Sequence, residues 1–296
     1  MEIFKLLRKD EKMLYLMFIG MVMFLFIFIP FLRFKMVGSD HTINAYPSLS
    51  AVCGLLLGPI YGFLAIFLVD LTYFILNPKA FYFGIYSLIP PILSVIAAGA
   101  LCEGKWKYSA LILIVGLILF YSTDVGREVF YHPFLTILAL ILILLLRDKV
   151  SKMLFSKNFE EVVVGATVLS FSSVMVDHLY GSILGIVYLH IPAKDYIAVI
   201  PEFIKERIIM TIIGAFFVIL MIETSKCFLK NAKELRGKLL RSYIDEEVKY
   251  RSTQTSNINR ELLEKYNVRI PSEDEQKEIL KSIVEVMIVN NKKGED

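Results

Sequence analysis

The chain has 296 residues, 56% of them hydrophobic and 21% charged, with a mean hydropathy of +0.61; a soluble fold of this size needs far less apolar surface for its core. A formal net charge of +3, with the cations spread over loops and tail, excludes a basic nucleic-acid-binding surface. Most side chains must therefore face lipid or one another.

Apolar runs at about 13–34, 49–76, 81–102, 108–122, 133–147, 162–189 and 204–228 are measured against the roughly 20 residues that cross a bilayer core. They predict an all-α, polytopic transmembrane helical bundle of six or seven spans over residues 1–228. The first run is too long for the apolar core of a signal peptide and reads as a retained span. The runs 108–122 and 133–147 are short. They are read either as two helices or as one broken element around Asp124, Arg127 and His132.

The parity of the spans assigns the loops near 77–80, 123–132 and 190–203 to one face. The opposite face carries Arg33, Lys35, Lys105, Lys107, Arg147, Lys149, Lys152, Lys157, Lys226, Lys230, Lys233 and Arg236, and by the positive-inside bias it is cytoplasmic. Only the N-terminus, with Lys5, Arg8, Lys9 and Lys12, conflicts with a count of seven, which puts it outside. From 229 to 296 the composition becomes charge-alternating, predicting a short helical cytoplasmic tail. Leu235, Leu239, Ile244 and Val248 mark one helix, and Ser272 and Glu275 form a capping box for a second after Pro271.

In the second run Gly54, Gly58 and Gly62 recur every four residues, a packing ridge for another helix that ends in Asp70. Pro59 is expected to kink it. The sixth run repeats the pattern with Ser173, Asp177, Gly181 and Gly185 on one stripe and His178 beside it. Asp177 falls about 22 Å into a span of about 30 Å. An acid at that depth is costly unless paired, hydrated or protonated, which makes it a binding-site candidate with Arg207 or Arg127 as the available counter-ion. The seventh run opens with Pro201, Glu202, Glu206 and Arg207, where acids suit the positive end of the helix dipole. Parity places Asp70, Asn77, the segment from Asp124 to His132, Asp177, His178, Glu206 and Arg207 in the same half of the membrane, the expected lining of a small-molecule pocket.

Nothing in the sequence calls for an enzyme, cofactor or metal. H-E-x-x-H, G-x-S-x-G, GxGD and P-loop motifs are missing. His41, His132, His178 and His190 lie on separate elements without metal-ligand spacing. Cys53, Cys102 and Cys227 lie within or at the edges of apolar runs and read as small hydrophobes. The alternative is a thiol transpeptidase using Cys53, assisted by His132 or His178 and Arg127.

The stretch YPSLSAVCGLLLGPIYGFLAIFLVD, Tyr46 to Asp70, resembles the G-x-x-x-G-P-x-x-G segment and trailing Asp of substrate-binding S components of energy-coupling-factor (ECF) transporters. DHLYGSILG, Asp177 to Gly185, and PEFIKERIIMTIIGA, Pro201 to Ala215, are similar to the last two helices of such proteins. The resemblance covers roughly residues 13–228. It implies a cell-membrane bundle that captures a vitamin-like small molecule and works beside a transmembrane T component and separate ATPase subunits. A sensor or scaffold signalling through its tail is the second expectation.

Overall fold

A computed structural model describes residues 11–28, 33–35, 42–44 and 47–227, together with positions 272, 274–275, 277–279 and 282. The chain divides into two units, Met1–Thr224 and Ser225–Asp296.

Helix α1 is described over Glu11–Phe28. The first apolar run is shorter as a helix than its hydropathy predicts, since Arg33–Lys35 is a three-residue strand paired antiparallel with Thr42–Asn44, the one departure from an all-helical chain among the described residues. Leu14, Met21 and Leu25 form the buried stripe of α1. Phe24 meets Phe217 edge-on, and Phe26 stacks on Tyr73.

Helix α2, Pro47–Leu76, is broken at Gly58, which adopts φ 73° and ψ −175°. That conformation is open to glycine and closed to side chains, and Pro59 adds no N–H to bridge the gap. In a straight helix residues nine apart are separated by about 13 Å. Here the Cys53 thiol points at the Gly62 carbonyl, with Sγ 3.8 Å from the oxygen, so the chain turns back on itself. Residues 47–57 form a half-helix that is buried along almost its whole length, the condition under which a broken helix survives at membrane depth. The expected continuous glycine ridge is therefore two short contacts around a corner. A Cβ at Gly54 would stand 2.6 Å from the Gly99 nitrogen, and one at Gly62 2.8 Å from Val95 Cγ2.

Two 3₁₀ turns, Pro78–Ala80 and Gly84–Leu88, lead into α3, Ile89–Cys102. Helix α4, Trp106–Ser122, and helix α6, Phe134–Leu146, flank a short α5, Asp124–Glu128, so the two short apolar runs are separate helices. After α7, Lys149–Leu154, helix α8, Phe159–Val187, starts where the Asn158 side chain accepts the Glu160 N–H at 3.0 Å, with Glu160 and Glu161 in the first turn. A short α9, Ala193–Ala198, precedes α10, Ile200–Cys227.

Four stretches are long and apolar enough to cross a bilayer: Pro47–Leu76, Gly84–Cys102, Phe159–Val187 and Ile200–Cys227. The other apolar helices, α1, α4 and α6, are shorter. Outward faces such as Leu111, Val115 and Ile118 of α4, or Ile208, Ile212 and Phe216 of α10, are exposed and apolar, as lipid contact demands. The interior is joined by polar clasps: Ser94 Oγ donates to the Ser173 carbonyl at 2.8 Å, and Tyr180 donates to the Ile112 carbonyl at 2.9 Å.

The loops gather at two ends. At one, Trp106 lies 5.7 Å from the Arg147 guanidinium and 6.0 Å from the Lys107 ammonium. At the other, Phe83 and Tyr86 meet Tyr188, and His132 meets Tyr196. These are the groupings that parity expects. In the second unit the Ser272 N–H donates to Glu275 Oε2 at 2.8 Å and the Glu275 N–H donates to Ser272 Oγ at 3.3 Å, the anticipated capping box. The expected helix through Leu235, Leu239, Ile244 and Val248 lies outside the described residues.

Candidate functional site

Arg207 is the centre of the site. It sits two turns into α10, facing inward with 6% of its surface exposed. Its Nη1 lies 3.9 Å from Asp177 Oδ2 and its Nη2 3.6 Å from Glu206 Oε2. Both pairs are longer than a charge-assisted hydrogen bond of about 2.8 Å. The remaining contact of Nη1 is the Met210 thioether at 3.4 Å, a weak acceptor, and Nε has no partner. Asp70, on the arm of α2 beyond the break, is 5% exposed. Helices α8 and α10 thus bring together Asp177, Glu206 and Arg207, with His178 next to Asp177 in the chain.

The segment between α5 and α6 adds His132. Its imidazole is 2% exposed, stacked on Phe120 at 5.9 Å, edge-on to Tyr196 at 5.0 Å, and 5.5 Å from the His178 ring. Phe203, one turn before Arg207, lies under both histidines, 4.9 Å from His132 and stacked on His178 at 4.8 Å. Burial pushes His132 down to about 4; the Tyr196 backbone opposes this shift and the Arg207 charge adds to it. Neither His132 nitrogen makes a hydrogen bond of normal geometry, and His178 Nε2 and Glu206 Oε1 are also unpartnered. Buried polar atoms are nearly always satisfied in native proteins, so these orphaned atoms make the cluster a candidate binding site.

Tyr196 is fixed by the bond its hydroxyl donates to the Ser182 carbonyl at 2.7 Å. Its ring, with those of Phe203 and Phe120, walls the histidines. None of these aromatic residues stands out in the sequence, because at helical spacing they read as core. Among the sequence candidates, Arg127 pairs with its neighbour Asp124 at the surface, and Glu202 with Lys205 at 3.1 Å. Asp177 finds Arg207 as its counter-ion. Gly185 packs against the Tyr196 hydroxyl, where a Cβ would stand 2.7 Å from the oxygen, and Gly181 has no atom within 4 Å of a Cβ position. Gly181 lies one turn beyond Asp177, whose side chain keeps 14% exposure.

Cys53 is wholly buried against Gly62, and the ring neighbours of His132 and His178 are aromatic. Among the described residues no group of three His, Cys, Asp or Glu side chains could hold a metal ion.

No protein-family model matches the chain, and no solved structure matches it. The chain is 73% identical over 296 residues, covering 100% of both sequences, to an uncharacterized protein of Methanocaldococcus jannaschii, and it belongs to the same family as that protein.

Proposed function

We propose that the protein is the substrate-binding subunit of a membrane uptake system, similar to an S component, and that it captures a small vitamin-like molecule while separate ATPase subunits supply energy. The observation that carries this reading is the set of buried, unpartnered polar atoms on Arg207, Glu206, His132 and His178. They converge from α8, α10 and the α5–α6 segment and are walled by aromatic rings. A few convergent polar groups in an apolar surround are what small-molecule sites consist of. A structural ion pair alone accounts for them poorly, because a pair kept for stability closes to hydrogen-bond distance and satisfies its remaining atoms.

The architecture that goes with this reading puts the cationic end, with Trp106, Arg147 and Lys152, in the cytoplasm, and the site toward the outside. Purified protein is expected to bind a small molecule from its own cell extract, detected by native mass spectrometry. Asp177→Asn and Arg207→Ala are each expected to weaken that binding at least tenfold. Unchanged affinity in both variants would remove the site.

A sensor reading is favoured by one observation, that Ser225–Asp296 forms a unit of its own. Deleting residues 229–296 distinguishes the two. An uptake subunit keeps its ligand affinity and its transport, whereas a sensor keeps affinity and loses its output.

A further inference from the structure

We infer, resting on the binding-subunit reading above, that the molecule taken by this site is a small organic cation carrying N–H donors, of the amidinium or ammonium class. Charge comes first. Asp177 and Glu206 supply two carboxyl groups, and Arg207 is the one permanent cation between them. His132 and His178 pack on aromatic rings and add no permanent charge. The carboxyl side of the cluster is therefore in excess, and each buried, uncompensated carboxylate is costly at membrane depth. A bound cation removes that cost. A bound anion increases it.

Geometry gives the second argument. Arg207 holds Asp177 and Glu206 only at 3.9 and 3.6 Å, which leaves carboxylate lone pairs free for a donor arriving between them. Glu206 Oε1 is buried with no hydrogen bond, and Arg207 itself, only 6% exposed, has Nε unpartnered, so an acceptor on the same molecule is also provided for. The walls are the third argument. Phe203, Tyr196 and Phe120 pack on the two histidines and give the cluster an aromatic surround, which favours a desolvated organic cation over a hydrated inorganic one. A flat delocalised cation satisfies walls and carboxylates together.

Benzamidine, benzamide and benzoate are nearly isosteric and carry positive, zero and negative charge, so calorimetric titration of the full chain in detergent with all three isolates the charge preference. Benzamidine is expected to bind saturably, benzamide at least tenfold more weakly, and benzoate not at all. Asp177→Asn and Glu206→Gln, which keep side-chain shape, are expected to weaken benzamidine at least tenfold each, while Glu202→Gln, on the exposed side of the same helix, leaves it unchanged. Thermal unfolding of each variant establishes that it is folded. Benzoate or benzamide binding as tightly as benzamidine, or no benzamidine binding by folded protein, overturns the cation assignment. Native mass spectrometry of the chain from its own membranes separates this outcome from failure of the underlying reading. A co-purified neutral or anionic molecule overturns the cation class and leaves the binding subunit standing; neither a co-purified molecule nor benzamidine binding removes both.

Discussion

At the residue scale, Arg207 and Lys205 sit two positions apart on α10 and face opposite surroundings. The Lys205 ammonium is 67% exposed and holds Glu202 at 3.1 Å, an exposed pair of the kind that contributes under about 1 kcal/mol. The Arg207 guanidinium is 7% exposed among carboxylates, and removing one partner from a buried charge cluster costs about 3 kcal/mol or more. Arg207→Met is thus expected to lower the unfolding temperature well beyond Lys205→Ala, a comparison that thermal unfolding in detergent makes directly. His132 yields a different expectation. Its ring is neutral in the fold, with the folded value near 4 and an ordinary value of 6.5. Between those values the unfolded chain binds the extra proton, so stability is intact above about pH 6.5 and falls as pH drops toward 4, by about 3 kcal/mol in all. His132→Phe is expected to flatten that part of the pH–stability curve in equilibrium unfolding, with Arg207 and His178 unchanged beside it. The acids and Arg207 are legible in the sequence because helical spacing and parity aim them at one place. His132 belongs to the site through an irregular connection whose path no periodicity records.

At the scale of elements, identical glycine spacing hides opposite roles. Gly54 and Gly181 each stand in a four-residue glycine pattern in the sequence. The structure gives Gly54 the Gly99 backbone 2.6 Å from its Cβ position and gives Gly181 nothing within 4 Å. Gly54→Ala must push α2 from α3, a cost of about 1–3 kcal/mol, whereas Gly181→Ala removes a flexible residue from a helix and is expected to be neutral or to stabilise by about 0.5–1 kcal/mol. Gly58 stands apart from both. Its φ of 73° with ψ −175° belongs to a region reserved for glycine, and Gly58→Ala is expected to cost about 1–3 kcal/mol through backbone strain alone. Thermal unfolding of the three variants should therefore rank Gly181→Ala above wild type or level with it, and the other two below. A kink is legible from Pro59. The reversal is not, because hydropathy sees one unbroken apolar run over residues 49–76 and carries no information on direction.

At the scale of the whole molecule, that reversal bears on which side of the membrane each terminus occupies. Counted by hydropathy, α2 is one crossing, seven runs cross in all, and the cations Lys5, Arg8, Lys9 and Lys12 fall on the outside, against the positive-inside bias. The break at Gly58 predicts the other parity. Residues 59–76 cross toward the site's end of the bundle, and the half-helix 47–57 runs the other way, starting where the Ser48 carbonyl meets Gly214 and Ser170 in the interior. The end of α1 agrees: Phe26 stacks on Tyr73 at 6.1 Å, one turn short of where α2 finishes at Leu76. The chain thus leaves α1 on the face where α2 ends, and α1 begins at Glu11 toward the face of the Trp106 and Arg147 loops. Helices α4 and α6 leave this parity untouched, since they run in opposite directions between the Trp106–Arg147 contact and the Phe120–His132 contact and cross as a pair or not at all. Single cysteines at positions 3 and 290, in a chain with Cys227→Ser because Cys227 is exposed while Cys53 and Cys102 are buried, make the test. A membrane-impermeant maleimide is expected to spare both positions in intact cells and to label both after permeabilisation. Labelling of position 3 alone in intact cells would restore the seven-crossing topology, and with it the conflict between the N-terminal cations and the rule that orients the rest of the bundle.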